Sequence, residues 1–289
     1  MSMTSAICDA HVHVFEPQKF PYVTTRRFTP GVATVQDLRV HLDKVGASQV
    51  VLVQPSVYGE NNDCLLSALT ALSGNARGVV VLTNAISGKE IDSMHQMGVR
   101  GARLNLLVDH TADPDVAISK LAELEAFIPP EWHIQLHVSS DVLGALFSHI
   151  ENSSRKFVLD HLGLPDVTLG THSFAWQRQL ALLKSGNLYV KLSAPYLSSK
   201  SLSPYADLDP FLDSLLLIRP DRLLWGSNWP HTQGTSRNAS AASDAVEEFR
   251  VVDESLWLRQ CTVAAGSSAV AVFEENARRL YDHPGCDSY

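Results

Sequence analysis

Long basic blocks are missing from this chain: no run of Lys or Arg exceeds the pairs Arg26-Arg27 and Arg278-Arg279. The formal charge is −8 at pH 7, so neither a phosphate backbone nor an anionic membrane would find a counter-field, and both are excluded as expected partners. Cysteine is scarce. Cys8, Cys64, Cys261 and Cys286 show neither CxxC nor zinc-finger spacing, and read as reduced thiols of a cytosolic protein. No apolar stretch is long enough to cross a bilayer. Met1-Ser2-Met3-Thr4-Ser5 has no basic or apolar signal region, so no signal peptide is predicted and a cytoplasmic location is expected. Also absent is a glycine-rich phosphate loop behind the first apolar run, which a doubly wound dinucleotide-binding sheet would carry.

What is present is a repeated alternation. Eight short apolar runs (6–12, 49–53, 78–82, 102–106, 133–138, 157–160, 188–192 and 222–225) are separated by segments with apolar residues at three- and four-residue spacing. Val35-Leu38-Leu42-Val45 and Val142-Leu146-Ile150 are examples, opened by the capping residues Thr34 and Asp141. Near-continuous Val/Leu/Ile runs indicate strands covered on both faces, hence a parallel sheet. Eight strand–helix units fit a closed (β/α)₈ TIM barrel, an α/β fold, with extra helices after Asp253. No linker or repeat divides residues 1–289, and one domain is expected.

Barrel enzymes carry their chemistry at the C-terminal ends of the strands. In order, those ends hold His11 and His13, Gln54 and Ser56, Arg103 and Asn105, then His137, His161, Ser193 and Asn228. His11 and His13 share one face of a strand, roughly 6–7 Å apart, and can converge on a metal ion or a carbonyl oxygen. His133 shares a face with His137 but lies roughly 13 Å down the strand, which predicts a structural place on the barrel floor. His41, His95, His149, His110, His172 and His283 are expected on the surface, and His231 at the mouth.

The motifs Asp9-Ala10-His11-Val12-His13, Val53-Gln54-Pro55-Ser56, Gly98-Val99-Arg100-Gly101-Ala102-Arg103-Leu104-Asn105, Asp160-His161-Leu162-Gly163 and Trp225-Gly226-Ser227-Asn228-Trp229-Pro230-His231 give the chain a familiar look. It resembles the amidohydrolase-related branch of the amidohydrolase superfamily, and most closely its 2-pyrone-4,6-dicarboxylate lactonase-like group. The resemblance implies a (β/α)₈ barrel that hydrolyses a cyclic ester or related bond. In metal-dependent relatives the His-x-His pair, a strand-five histidine and a strand-eight aspartate hold zinc; here His11, His13 and His137 match the first three. The dicarboxylate lactonases work without metal, and their strand-eight aspartate activates water. This chain has Asn228 at that place, His137 where they have tyrosine, Leu164 where they have an arginine, and Ala194-Pro195-Tyr196-Leu197 where another arginine stands.

Asparagine donates and accepts hydrogen bonds but takes no proton near neutral pH. With arginines lost, a dianionic pyrone is not the expected substrate. Phe28, Leu164, Tyr196 and Trp229, with Gln54, Ser56, Asn105, Ser193 and His231, are expected to bind a less charged, larger ring. The expected enzyme is a lactonase-like hydrolase in which His11, His13 and Arg103 polarise the carbonyl, while His161, with His137, handles protons. The rival readings are a decarboxylase, lyase or cyclase on the same scaffold, and an inactive binding relative. The cofactor is either none or one Zn²⁺ held by His11, His13 and His137. The partner is a small molecule, and a homo-oligomer stays open.

Overall fold

The computed structural model describes residues 7–107, 113–233 and 245–283. Eight parallel strands follow one another around a single sheet: β1 Ile7–Val12, β2 Ala47–Val53, β3 Ala76–Val80, β4 Val99–Leu104, β5 His133–Leu136, β6 Phe157–Leu159, β7 Leu188–Leu192 and β8 Leu223–Trp225. Each successive pair is parallel. The ring closes above β8, where Asn228 N donates to His11 O and His13 N to Trp229 O, both at 2.9 Å. The expected TIM barrel is the fold, and all eight sequence runs fall on its strands.

The helices are α1 Val35–Val45, α2 Asp63–Leu72, α3 Gly88–Gln96, α4 Pro114–Phe127, α5 Ser140–Asn152, α6 Phe174–Ser185, α7 Asp209–Ile218, α8 Glu254–Ala265 and α9 Asn276–Tyr281. Thr34 opens α1 in a reciprocal capping box with Asp37. The cap of α5 is Ser139, not Asp141, which lies inside the first turn. The helices bury leucine-rich faces against the outside of the strands, while the barrel interior is filled by Cys8, Ala10, Val51, Val79, Val158 and Tyr189. Leu280 and Tyr281 of α9 close the floor, and His133 meets the Tyr281 ring edge-on at 5.0 Å, as its position down the strand required. Gly101 is obligatory there: a Cβ would fall 2.3 Å from the His133 ring.

Two of the histidines expected on the surface are buried instead, His41 and His283. His41 lies on the same face of α1 as Leu38 and Val45 and is drawn inward by Asp9 at 3.0 Å; His283 sits under the floor, 3.7 Å from Cys8. His172 is exposed, and His95 and His149 are half-buried. Cys8, Cys64 and Cys261 are buried free thiols. His110, Cys286, Ala6 and the serine-rich stretch 236–243 lie outside the described residues.

Candidate active site

The site begins with an irregularity in β1. Asp9 pairs with Val50 but Val12 pairs with Leu52, so three steps on β1 oppose two on β2. This bulge changes the parity of the strand. Cys8 and Ala10 face the barrel interior below it, and His11 and His13 face inward above it. Asp9 points outward, where it accepts from Ser227 N at 2.9 Å and pairs with His41. It thereby ties β1 to β8 and to α1. Gly226 is needed beside it, because a Cβ there would meet His11 Cβ at 2.9 Å.

Under the histidines lies a closed ionic layer. Arg103 donates from Nε and Nη2 to Asp160 Oδ2 at 3.1 and 2.9 Å, and from Nη1 to Gln54 O at 3.2 Å. Gln135 Nε2 donates to Asp160 Oδ1 at 2.8 Å, and Lys191 Nζ donates to Gln135 Oε1 at 2.7 Å. His11 Nδ1 stands 3.4 Å from Asp160 Oδ1 and 3.5 Å from Lys191 Nζ. All five side chains are buried. Burial opposes the charge of Asp160, yet Arg103, then His11 and His161, hold its carboxyl well below the usual carboxylate range. Burial pushes Lys191 down to about 7, against the pull of Asp160 and with the help of Arg103.

Above this layer opens a cavity of about 510 Å³, lined by His13, Arg103, His137, His161 and Asn228 with Phe28, Ser56, Asn105 and Leu164. The hydrogen bonds of the imidazoles decide what they can offer it. His13 Nδ1 lies 2.7 Å from Val53 O and His137 Nδ1 lies 2.9 Å from Asn105 Oδ1. A carbonyl oxygen can only accept, so Nδ1 carries the proton and Nε2 presents a lone pair. Burial, with the Arg103 charge, lowers His13 to about 3 and His137 to about 4, so both rings are neutral at physiological pH. His161 Nδ1 meets Ser193 Oγ at 2.9 Å, a hydroxyl that can donate or accept. His161, Asn228 and His231 all take left-handed backbone conformations, with φ of 53°, 66° and 67°, a concentration typical of functional turns.

The structure brings five of the six expected catalytic side chains to one cavity wall. The sixth, His11, lies directly beneath, its ring 5.0 Å from His13 and 4.8 Å from His161. Among the expected substrate-binding residues, Phe28, Ser56, Asn105 and Leu164 line the cavity. The others stand behind it. Gln54 anchors the loop after β2 through Gly59 O and Asn61 O, Ser193 supports His161, and Trp229 stacks on His41 at 5.6 Å. Tyr196 and His231 sit in back of Asn228. The aromatic lining comes from Phe15 and Phe28. Sequence reasoning overlooked Asp160, Lys191 and Gln135. The available signal was Lys191 inside the otherwise apolar run 188–192, with Asp160 closing the run 157–160 and Gln135 sharing a strand face with His133 and His137.

A divalent cation fits this donor set poorly. Among the described residues, the three metal-type donors whose atoms converge within 4.8 Å are His11, Asp160 and His161, not His11, His13 and His137. His137 has His161 as its ring neighbour, at 5.2 Å. The Asp160 carboxylate already serves Arg103 and Gln135, and Lys191 stands one hydrogen bond further on, at Gln135. A further +2 charge would sit among like charges, with the neutral Asn228 in place of a second carboxylate.

A parallel barrel with a histidine-rich cluster at the C-terminal ends of its strands is the mark of an amidohydrolase-type enzyme. The chain belongs to the amidohydrolase family, whose model matches residues 8–283. It is 33% identical over 238 residues to the 2-pyrone-4,6-dicarboxylate hydrolase of Comamonas testosteroni, covering 77% of this chain and 76% of that one. It is 28% identical over 226 residues to the 4-sulfomuconolactone hydrolase of Rhizobium radiobacter, covering 78% and 75%. A Pseudomonas putida structure, provisionally described as a 2-pyrone-4,6-dicarboxylic acid hydrolase, superposes with a TM-score of 0.77 at 28% identity over 98% of this chain and 100% of that one. The protein is thus an enzyme of the lactonase-like hydrolase type.

Proposed function

We propose that this enzyme opens a monocyclic lactone by attack of water, with Arg103 as the electrophilic group and neutral histidine as the base. The observation that carries this reading is the opposition, in one cavity, of a fixed guanidinium and imidazole lone pairs. Three of the five Arg103 N–H groups serve Asp160 and Gln54; the other two suit the lactone carbonyl and the oxyanion it becomes. His13 directly follows β1, beside the Asn228 turn, and takes the proton of the attacking water on Nε2. Burial and the Arg103 charge keep it neutral, so it can accept a proton where the strand-eight carboxylate is missing. As the tetrahedral intermediate collapses, the ring C–O bond breaks and the imidazolium of His13 passes the proton it took from water to the leaving alkoxide, ending neutral again. His161, whose Nδ1 meets the Ser193 hydroxyl, hydrogen-bonds the departing oxygen. His11 acts from below, holding His13 and His161 in place.

Phe15, Phe28, Leu107 and Leu164 favour a ring with apolar faces, and Lys200 at the rim suits one acidic substituent. We place the reaction in the cytoplasm with a small molecule as partner, in a single domain; among the described residues no helix is long and apolar enough to cross a membrane. A panel of neutral, mono- and dianionic lactones, followed by pH-indicator hydrolysis assays, tests the reading. Turnover of monoanionic or neutral lactones, abolished by Arg103→Met and His13→Gln, is expected. Full activity in either variant would overturn it.

A further inference from the structure

The residues behind Asn228 form a directed chain. The Glu254 carboxylate, at the start of α8, lies 3.0 Å from His231 Nε2 and accepts from Lys44 Nζ at 2.8 Å. Burial opposes its charge, but His231 and Lys44 hold its carboxyl at about 2, so it can only accept. A neutral His231 turns its proton on Nε2 toward that carboxylate, which leaves Nδ1 as an acceptor. Tyr196 Oη is 3.4 Å from that Nδ1, so the single phenolic proton goes to His231. The phenol oxygen can then only accept from Asn228, and Asn228 Nδ2 donates to it at 2.8 Å. The carboxamide is left with one orientation. Its Oδ1 faces away from Tyr196, buried and without a protein partner among the described residues, on a residue that lines the cavity.

We infer that Tyr196, His231 and Glu254 are positioning residues: they fix the Asn228 carboxamide so that its oxygen takes a hydrogen bond from the attacking water and presents that water to His13. This rests on the hydrolytic reading above. A carboxylate at this place would need no such device, since its two oxygens are equivalent acceptors. An amide must be prevented from flipping, because its nitrogen side would offer the water a donor in the wrong place.

The test is a cycle between Tyr196→Phe and Asn228→Asp, both conservative. Phe keeps the ring under the Arg250 guanidinium, which lies 5.0 Å from its centroid, and Asp accepts the left-handed backbone of Asn228. In the native background Tyr196→Phe should lower kcat roughly 10–100-fold with KM changed less than about 2-fold, the signature of a misplaced nucleophile. In the Asn228→Asp background the same change should cost under about 3-fold, because nothing remains to orient. Equal losses in both backgrounds would mean that Tyr196 only packs, and no loss in the native background would mean that the amide is held by other means; either overturns the inference. A readout independent of turnover is the Asn228 side-chain amide pair in ¹⁵N-resolved NMR. Its two proton shifts should separate less, and exchange faster with water, in Tyr196→Phe and in Glu254→Gln. Unchanged resonances would refute the relay. Changed resonances in an enzyme that hydrolyses no lactone would uphold the relay and sink the lactonase reading.

Discussion

Replacing Asp160 by asparagine would remove the one carboxylate in the barrel that both Arg103 and Lys191 depend on. Asp160 and the Arg103 side chain are buried, and the pair is joined by two charge-assisted hydrogen bonds to a single oxygen. An exposed pair of the same geometry would contribute at most about 1 kcal/mol, but breaking a desolvated one costs about 3–5 kcal/mol, because the partner charge stays buried and unmatched. Here the loss is compounded by hydrogen-bond polarity. Gln135 and Arg103 both present donors to the carboxylate, and the asparagine NH₂ would confront one of them. The melting temperature at pH 7 should drop by roughly 6 °C or more, and lactone turnover should fall with it as the guanidinium loses its fixed direction. Arg103→Met in the same chain removes the stranded charge and should recover a large part of the stability, though none of the activity. Differential scanning calorimetry of the two single variants and the double variant gives the coupling directly. A loss below about 2 °C in Asp160→Asn, or additive losses in the double variant, would show that the layer is not desolvated as described.

The buried imidazoles make a second set of predictions. His13, His133 and His283 are held near 3 and His137 near 4, in each case chiefly by burial. Below about pH 6.5 the unfolded chain takes up protons that the native one refuses, so stability is complete above that pH and declines steadily as the pH falls toward 4; a melting temperature flat from pH 6.5 to 4.5 would contradict this. Catalysis through a neutral His13 should keep kcat/KM level from pH 7 to 5 with its acid limb below, whereas a limb near pH 7 would transfer the proton to Lys191. Gly101→Ala should cost about 1–3 kcal/mol by driving a Cβ into the His133 ring, a loss visible in urea unfolding and absent if the ring can step aside. Purified enzyme stripped with a chelator should keep its activity, and zinc added in excess should inhibit or do nothing; zinc-dependent restoration would refute the charge argument at Asp160. Asn228→Asp should raise lactone hydrolysis or leave it unchanged. A variant that loses hydrolysis would show that the neutral amide is itself required.

The strand runs and helix spacings were legible because they follow from side-chain periodicity alone, and the eight runs meet the eight strands. The upper wall of the site was legible for a related reason: a barrel collects the exits of its strands, so His13, Arg103, His137, His161 and Asn228 had to meet. The lower layer was not. Lys191 stands in Leu188–Leu192 with apolar residues on both sides, and nothing local says that its ammonium will be matched by Gln135 and Asp160 from two other strands. The same holds for the exchange of roles at His13. Sequence assigns it to the carbonyl, but the proton on its Nδ1 is fixed by the carbonyl of Val53, forty positions away, and this alone converts it from donor to acceptor. Asp9 and His41 show the limit most clearly. Alternation puts Asp9 on the face of His11, yet one bulged residue reverses the parity and sends the carboxylate out to α1, where it holds the β1–β8 seam. The bulge that cannot be read from the sequence is what aims the histidines that can.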